Sequence, residues 1–184
     1  MARKKMRKSN DNSIKKGLTL YILRHGQAGT HEDNPEKDAV RPLTSRGRKE
    51  TIMFGRSLRK LGVSFDLVVS SPLKRAVETA QLTARTVMGK KWVEEWNELK
   101  PTIETGELYS RLSSLETDRP VLLVGHEPHL SNVIAEIVSG KPDARLVLKK
   151  GGIAKVNVDE LKPKPSGELI WLLTPKLMKK ISRR

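Results

Sequence analysis

The 184-residue chain contains no cysteine, which removes disulfides, thiolate nucleophiles and zinc-thiolate sites from consideration. Any nucleophile must come from another side chain. The sequence also lacks an apolar run near the roughly 20 residues that a membrane-crossing helix needs. Residues 1–17 lack the apolar central stretch of a secretory leader, so a cytoplasmic protein is expected. The basic start invites comparison with an organellar transit peptide, but Asp11 and the absence of a helical apolar stripe speak against it. No internal repeat is visible.

Acidic residues are the other shortage. Asp and Glu number 21 against 36 Lys and Arg, for a net charge of +15. The excess is concentrated at the ends: residues 1–17 carry +6, residues 176–184 carry +5, and residues 18–175 hold the remaining +4. Such ends attract nucleic acid, anionic lipid or other polyanions through non-specific electrostatics, or are simply solvated termini. The expected organisation is a basic disordered N-terminal tail (1–17), one folded domain (18–175) and a basic C-terminal tail (176–184), since a chain of this length is served by one hydrophobic core.

What is present is a repeated strand-turn-helix pattern. Residues 18–24 form a short strand-favouring run that is apolar on both faces, as in the interior of a parallel sheet. Residues 66–70, ended by Ser71-Pro72, and residues 120–125, ended by His126, have the same character. Helices are expected after Thr44, leading into Ile52, Phe54 and Leu58; after Pro72, over Ala76–Val87; over Glu104–Leu115; and from Pro128 to Val138, with Gly140 as a stop. Runs 153–158 and 169–173, separated by a Pro/Gly-bearing turn, read as a C-terminal β-hairpin. The expected fold is therefore α/β: a single three-layer domain, a mostly parallel central sheet with helices on both faces, and no large cap.

In open α/β sheets ligands bind beyond the carboxyl ends of the strands. Those ends carry Arg24-His25-Gly26, then Ser70-Ser71-Pro72-Leu73-Lys74-Arg75, then Gly125-His126-Glu127-Pro128. Two arginines offer fixed forks of donors that match a phosphoryl group. Arg75 falls in the first turns of a helix, whose dipole and free N–H groups also favour an anion. A neutral imidazole can attack phosphorus, so one of the two histidines is the natural nucleophile and the other a donor to the transferring group. His126, Glu127 and His129 also invite a metal-site reading. Their spacing straddles Pro128 and no further His or Cys pairs with them, so no metal and no cofactor are expected.

With these residues in place the chain resembles the histidine phosphatase superfamily, related to the cofactor-dependent phosphoglycerate mutases, and within it the short SixA-type phosphohistidine phosphatases. The likeness runs from about Leu18 to Leu173. It rests on Leu23-Arg24-His25-Gly26-Gln27-Ala28, Val40-Arg41-Pro42-Leu43-Thr44-Ser45-Arg46-Gly47, the segment Val69 to Ala80, Glu98-Leu99-Lys100-Pro101, and Val124-Gly125-His126-Glu127-Pro128. The resemblance implies that His25 becomes phosphorylated and that Arg24, Arg75 and His126 complete the phosphate pocket. It makes Arg41 an added anion contact, or else a plain surface arginine. Glu98 stands where many members keep a general acid, its alternative being a capping or salt-bridging carboxylate.

An alkoxide leaving group, with a pKa of roughly 16, needs protonation, whereas an imidazole ring can leave neutral. A compact chain with an open site therefore points first to phosphohistidine in proteins. The alternatives are a small-molecule phosphomonoesterase acting on sugar phosphates or nucleotides, and a module that holds polyanions through its basic tails.

Overall fold

The computed structural model describes residues 17–89, 92–115, 119–142 and 145–183. In chain order the elements are β1 (Leu18–Arg24), α1 (Pro35–Ala39), α2 (Ser45–Lys60), β2 (Leu67–Ser70), α3 (Lys74–Met88), β3 (Glu94–Glu95), a 3₁₀ turn at Asn97–Leu99, α4 (Thr105–Ser113), β4 (Val121–Gly125), α5 (His129–Ser139), β5 (Ile153–Glu160), β6 (Ser166–Leu173) and α6 (Pro175–Arg183). The six strands form one open sheet in the order β3-β2-β4-β1-β5-β6. The first four are mutually parallel, and β5 and β6 are antiparallel to their neighbours. The expected mixed sheet with a C-terminal hairpin is therefore present.

Strand alternation sorts the core into two layers, because successive side chains point to opposite faces. Leu20, Ile22, Val121 and Leu123 pack with Leu108, Leu112, Leu130 and Ile134 of α4 and α5. Tyr21, Leu23, Leu122 and Val124 pack with Phe54, Leu58, Ala76, Ala80 and Met178 of α2, α3 and α6. All five residues of β4 are buried, which explains why this run reads as continuously apolar. Among the described residues no helix is long and apolar enough to cross a membrane.

Local signals place the helices. Thr44 caps α2 by accepting from the Gly47 N–H at 2.9 Å. Gly140, at φ +73°, ends α5 in the left-handed region where glycine carries no Cβ penalty. Gly47 meets a different demand: a Cβ there would collide with the Gln27 carbonyl.

The structure departs from expectation at the C-terminus. Residues 175–183 form helix α6, which packs against α2 and is not a detached tail. Met178 is fully buried and its carbonyl accepts from Ser57 Oγ at 2.8 Å. The run Leu177-Met178 with Ile181 is too short to stand out against five basic residues, yet one buried methionine suffices to dock a helix whose other face stays in water. Two elements carry too weak a pattern to be expected, α1, built on an Asn34 cap and Pro35, and the two-residue β3. The expected disordered tail at 1–17 lies, except for Gly17, outside the described residues.

Candidate active site

Strand pairing brings the three motifs together. In the register of β1 and β4, Arg24 lies beside Gly125. In that of β2 and β4, Ser70 lies beside Val124. The pairing continues one step past the strands, with the His25 N–H on the Gly125 carbonyl at 3.0 Å and the Ser71 N–H on the Val124 carbonyl at 2.9 Å. His25, His126 and Ser71 therefore emerge side by side at one rim of the sheet.

The imidazoles of His25 and His126 lie 5.0 Å apart between centroids, inclined at 52°. His25 Nδ1 is 2.7 Å from the Gly26 carbonyl. A carbonyl only accepts, so Nδ1 carries the proton and Nε2 keeps its lone pair. Burial, opposed by that hydrogen bond and reinforced by the charges of Arg75, Arg24 and Lys150, lowers the His25 pKa to about 3. The ring is neutral at ordinary pH, as nucleophilic attack requires. His126 is lowered as well, first by burial and then by His25 and Arg75. Its Nε2 is engaged with Ser71 Oγ at 2.9 Å.

Both guanidinium groups are anchored and both retain a donor. Arg24 donates from Nη1 to the Leu148 carbonyl at 2.9 Å, and Arg75 from Nη1 to the Asp38 carbonyl at 2.8 Å. Their Nε atoms are buried with no protein partner among the described residues. Buried donors of this kind are normally satisfied, so two orphaned guanidinium donors beside a neutral imidazole describe a cradle for an oxyanion. The backbone under the cradle is held from α3: the Gly26 N–H donates to Thr79 Oγ1 at 3.0 Å, and that hydroxyl donates to the Arg75 carbonyl at 2.7 Å.

Known proteins similar to this chain show its family. Residues 20–103 match the model of the histidine phosphatase superfamily (branch 1). The chain is 32% identical over 163 residues to an uncharacterized protein of Picosynechococcus sp., spanning 86% of this chain and 98% of that one. It belongs to the histidine phosphatase superfamily. It is also 27% identical over 160 residues to phosphohistidine phosphatase SixA of Escherichia coli, covering 86% of this chain and 94% of that protein. The solved structure of the protein histidine phosphatase SixA complexed with tungstate superposes with a TM-score of 0.75 at 27% identity, covering 86% of this chain and 98% of that one. As a SixA-type histidine phosphatase, the chain is a hydrolytic phosphatase with a single α/β domain.

The remaining sequence candidates fall in different places. Arg41 donates from Nε to Asp38 Oδ1 at 2.8 Å and from Nη1 to the Gly29 carbonyl at 2.7 Å, so it is tied to Arg75 through a shared carboxylate. Glu98, on the 3₁₀ turn, has Oε1 3.9 Å from Arg111 Nη1, whose guanidinium stacks 4.8 Å above Trp96. Among the described contacts it makes none to the two histidines or to Arg24 and Arg75. Glu127 accepts from Ser131 Oγ at 2.6 Å and leaves Oε1 buried with no partner among the described residues. Burial raises its pKa, against the Ser131 hydrogen bond and the charge of Arg24.

Three contributors are not apparent from sequence reasoning in this histidine phosphatase. Asp38 receives Arg41 and Arg75, the latter at 3.1 Å from Oδ2, together with His31 at 3.0 Å. Burial would raise its pKa, but hydrogen bonds from Arg41 and the Glu32 N–H, the Arg75 charge and His31 hold it well below the usual carboxylate range. It sits in the short helix α1, where Pro-Glu-Lys-Asp-Ala has no chemical signature. Ser71 orients His126. Lys150 adds positive charge because β5 runs antiparallel to β1, which places the turn before Ile153 at the His25 rim. That last position was open to inference from the hairpin topology.

Proposed function

We propose that this phosphatase works through a phosphohistidine intermediate at His25 and removes phosphate from phosphohistidine in proteins. The observation that carries the proposal is the neutral His25 ring, with Nδ1 pinned by the Gly26 carbonyl, set among buried guanidinium donors that have no partner among the described residues. The lone pair of Nε2 attacks phosphorus, and the bond between phosphorus and the substrate's ring nitrogen breaks. The departing ring, protonated on its other nitrogen, takes the electron pair and leaves as neutral imidazole. Water then attacks the phosphoryl group on His25, its oxygen joining phosphorus and both its protons remaining with the released phosphate as dihydrogen phosphate, and Nε2 regains its lone pair. Arg24 and Arg75 bind the oxygens in both steps, and His126 donates to them as charge develops.

Two further points support a protein substrate. Among the described residues there is no inserted cap to enclose a small molecule, and Glu98, the candidate acid that a monoester would require, faces Arg111. The SixA relative, named for phosphohistidine, was solved with tungstate, a tetrahedral oxyanion. Arg41 acts in this reading as a brace for Arg75 through Asp38.

A panel of phosphohistidine peptide, small phosphomonoester and polyphosphate substrates tests the proposal, with detection of acid-labile phosphate on the enzyme. The phosphohistidine peptide is expected to turn over fastest, His25→Ala to abolish turnover and labelling, and Glu98→Gln to keep activity on phosphohistidine. Turnover that survives His25→Ala removes the nucleophile assignment. Activity confined to monoesters and lost in Glu98→Gln favours the small-molecule reading.

A further inference from the structure

Beyond His126 the fold carries a second pocket. A pocket of about 250 Å³ opens between the loop before α4 and the first turns of α5. Its walls include Glu104, Thr105, Pro128, His129, Asn132 and Glu136 and, among the described residues, no lysine or arginine. In a chain of net charge +15 this is a local reversal of sign.

His129 is the unusual member. The residue is 97% buried, since only 3% of its surface is exposed, and both ring nitrogens are buried without a protein partner among the described residues. A neutral imidazole carries one donor and one acceptor, and native interiors rarely leave both unused. Burial lowers its pKa, with Glu136 and Glu104 opposing, so the ring offers an acceptor at neutral pH.

The carboxylates keep capacity of their own. Glu104 stands at the N-cap of α4 but its side chain makes no cap hydrogen bond. Glu136 accepts from Tyr109 Oη at 2.8 Å through Oε2, leaving its other oxygen. The positive start of α5 is already met by Glu127, held by Ser131. Two carboxylates and an unfilled imidazole acceptor match a cation rich in N–H donors. Among the described residues these groups do not converge as a metal cluster.

Position gives the pocket its meaning. Two residues, Glu127 and Pro128, separate His129 from His126, and three steps of chain span at most about 11 Å, so the pocket lies one to three substrate residues from the phosphoryl site. Resting on the protein-substrate reading above, we propose that this pocket binds the guanidinium or ammonium side chain of a residue flanking the phosphorylated one in a polypeptide substrate.

The test has two arms on the full-length protein. In the first, N-acetyl-arginine amide is titrated while the His129 ring resonances are followed by NMR; saturable shifts are expected, weakened about tenfold in Glu104→Gln and in Glu136→Gln. In the second, phosphohistidine peptides that differ only in an Arg, Gln or Glu neighbour are compared. The Arg peptide is expected to have about tenfold higher kcat/KM than the Gln peptide. Either glutamine variant should erase that preference while p-nitrophenyl phosphate turnover stays unchanged. Absence of His129 shifts together with equal turnover of the three peptides overturns the proposal. Binding of the amide without any peptide preference assigns the pocket to a free cationic small molecule and overturns the flanking-residue assignment. Saturable binding with no phosphohistidine turnover at all upholds the cation site and removes only the substrate reading on which it rests.

Discussion

Lowering the pH from 7 to 5.5 tests the electrostatic core of the site. With a pKa of about 3, His25 remains more than about 99% neutral at pH 5.5. An ordinary histidine near 6.5 would be only about 9% neutral there. The rate of phosphoryl transfer to His25 should therefore lose little from protonation of the nucleophile, against about a tenfold loss for an unperturbed ring. Stability should move the other way. Between about pH 6.5 and pH 3 the unfolded chain binds a proton at His25 that the folded chain refuses, so this contribution is complete above 6.5 and declines as the pH falls. His126 behaves alike because it too is buried and lowered. Each contributes about 1.3 kcal/mol of loss between pH 7 and 5.5, or about 2.5 kcal/mol together.

Two measurements check this. Urea unfolding at pH 7 and 5.5 reads the stability difference, and ring-proton NMR titration of the free enzyme reads each histidine directly. The NMR arm decides, because a phosphate substrate itself titrates near pH 6. Midpoints of 6 to 7 for His25 and His126, with stability flat across the window, would refute the claim that burial keeps the nucleophile neutral.

Replacing Asp38 by Asn keeps the shape but removes the charge shared by Arg41 and Arg75. Loss of charged hydrogen bonds worth about 1.5–3 kcal/mol should raise KM for phosphorylated substrates by roughly 10- to 100-fold, read from initial rates, and unchanged KM would remove its role as the brace. Met178→Ala should lower stability by about 2–5 kcal/mol and Tm by about 10 °C, measured by calorimetry, because a fully buried side chain that docks α6 is lost. A Tm within a degree or two of the parent would mean that α6 contributes little to the fold.

Much of this molecule is legible in one dimension. Residues 18–24, 66–70 and 120–125 are apolar on both faces, and that pattern has few solutions other than a strand covered by helices on two sides. Once β1, β2 and β4 are parallel, their carboxyl ends share a rim, so Arg24-His25, Ser71 with Arg75, and His126 had to meet. The order β2-β4-β1, with β4 central, is less apparent from the motifs, yet it is what sets the two imidazoles 5.0 Å apart.

What the sequence by itself determined is therefore the chemistry: no thiol, two histidines and two arginines at strand ends, and a match to one superfamily. The tertiary structure alone decided the tautomer of His25, through a carbonyl one residue away, and its neutral state, through burial. It alone joined Asp38 to Arg75 across 37 positions. It turned the expected C-terminal tail into a docked helix through one methionine, and it left His129 buried in the wall of an acidic pocket with no partner among the described residues. The physical reason is the same in each case. Residue type and local period report which groups exist and which face they take, whereas burial, partner geometry and field depend on segments far apart in the chain.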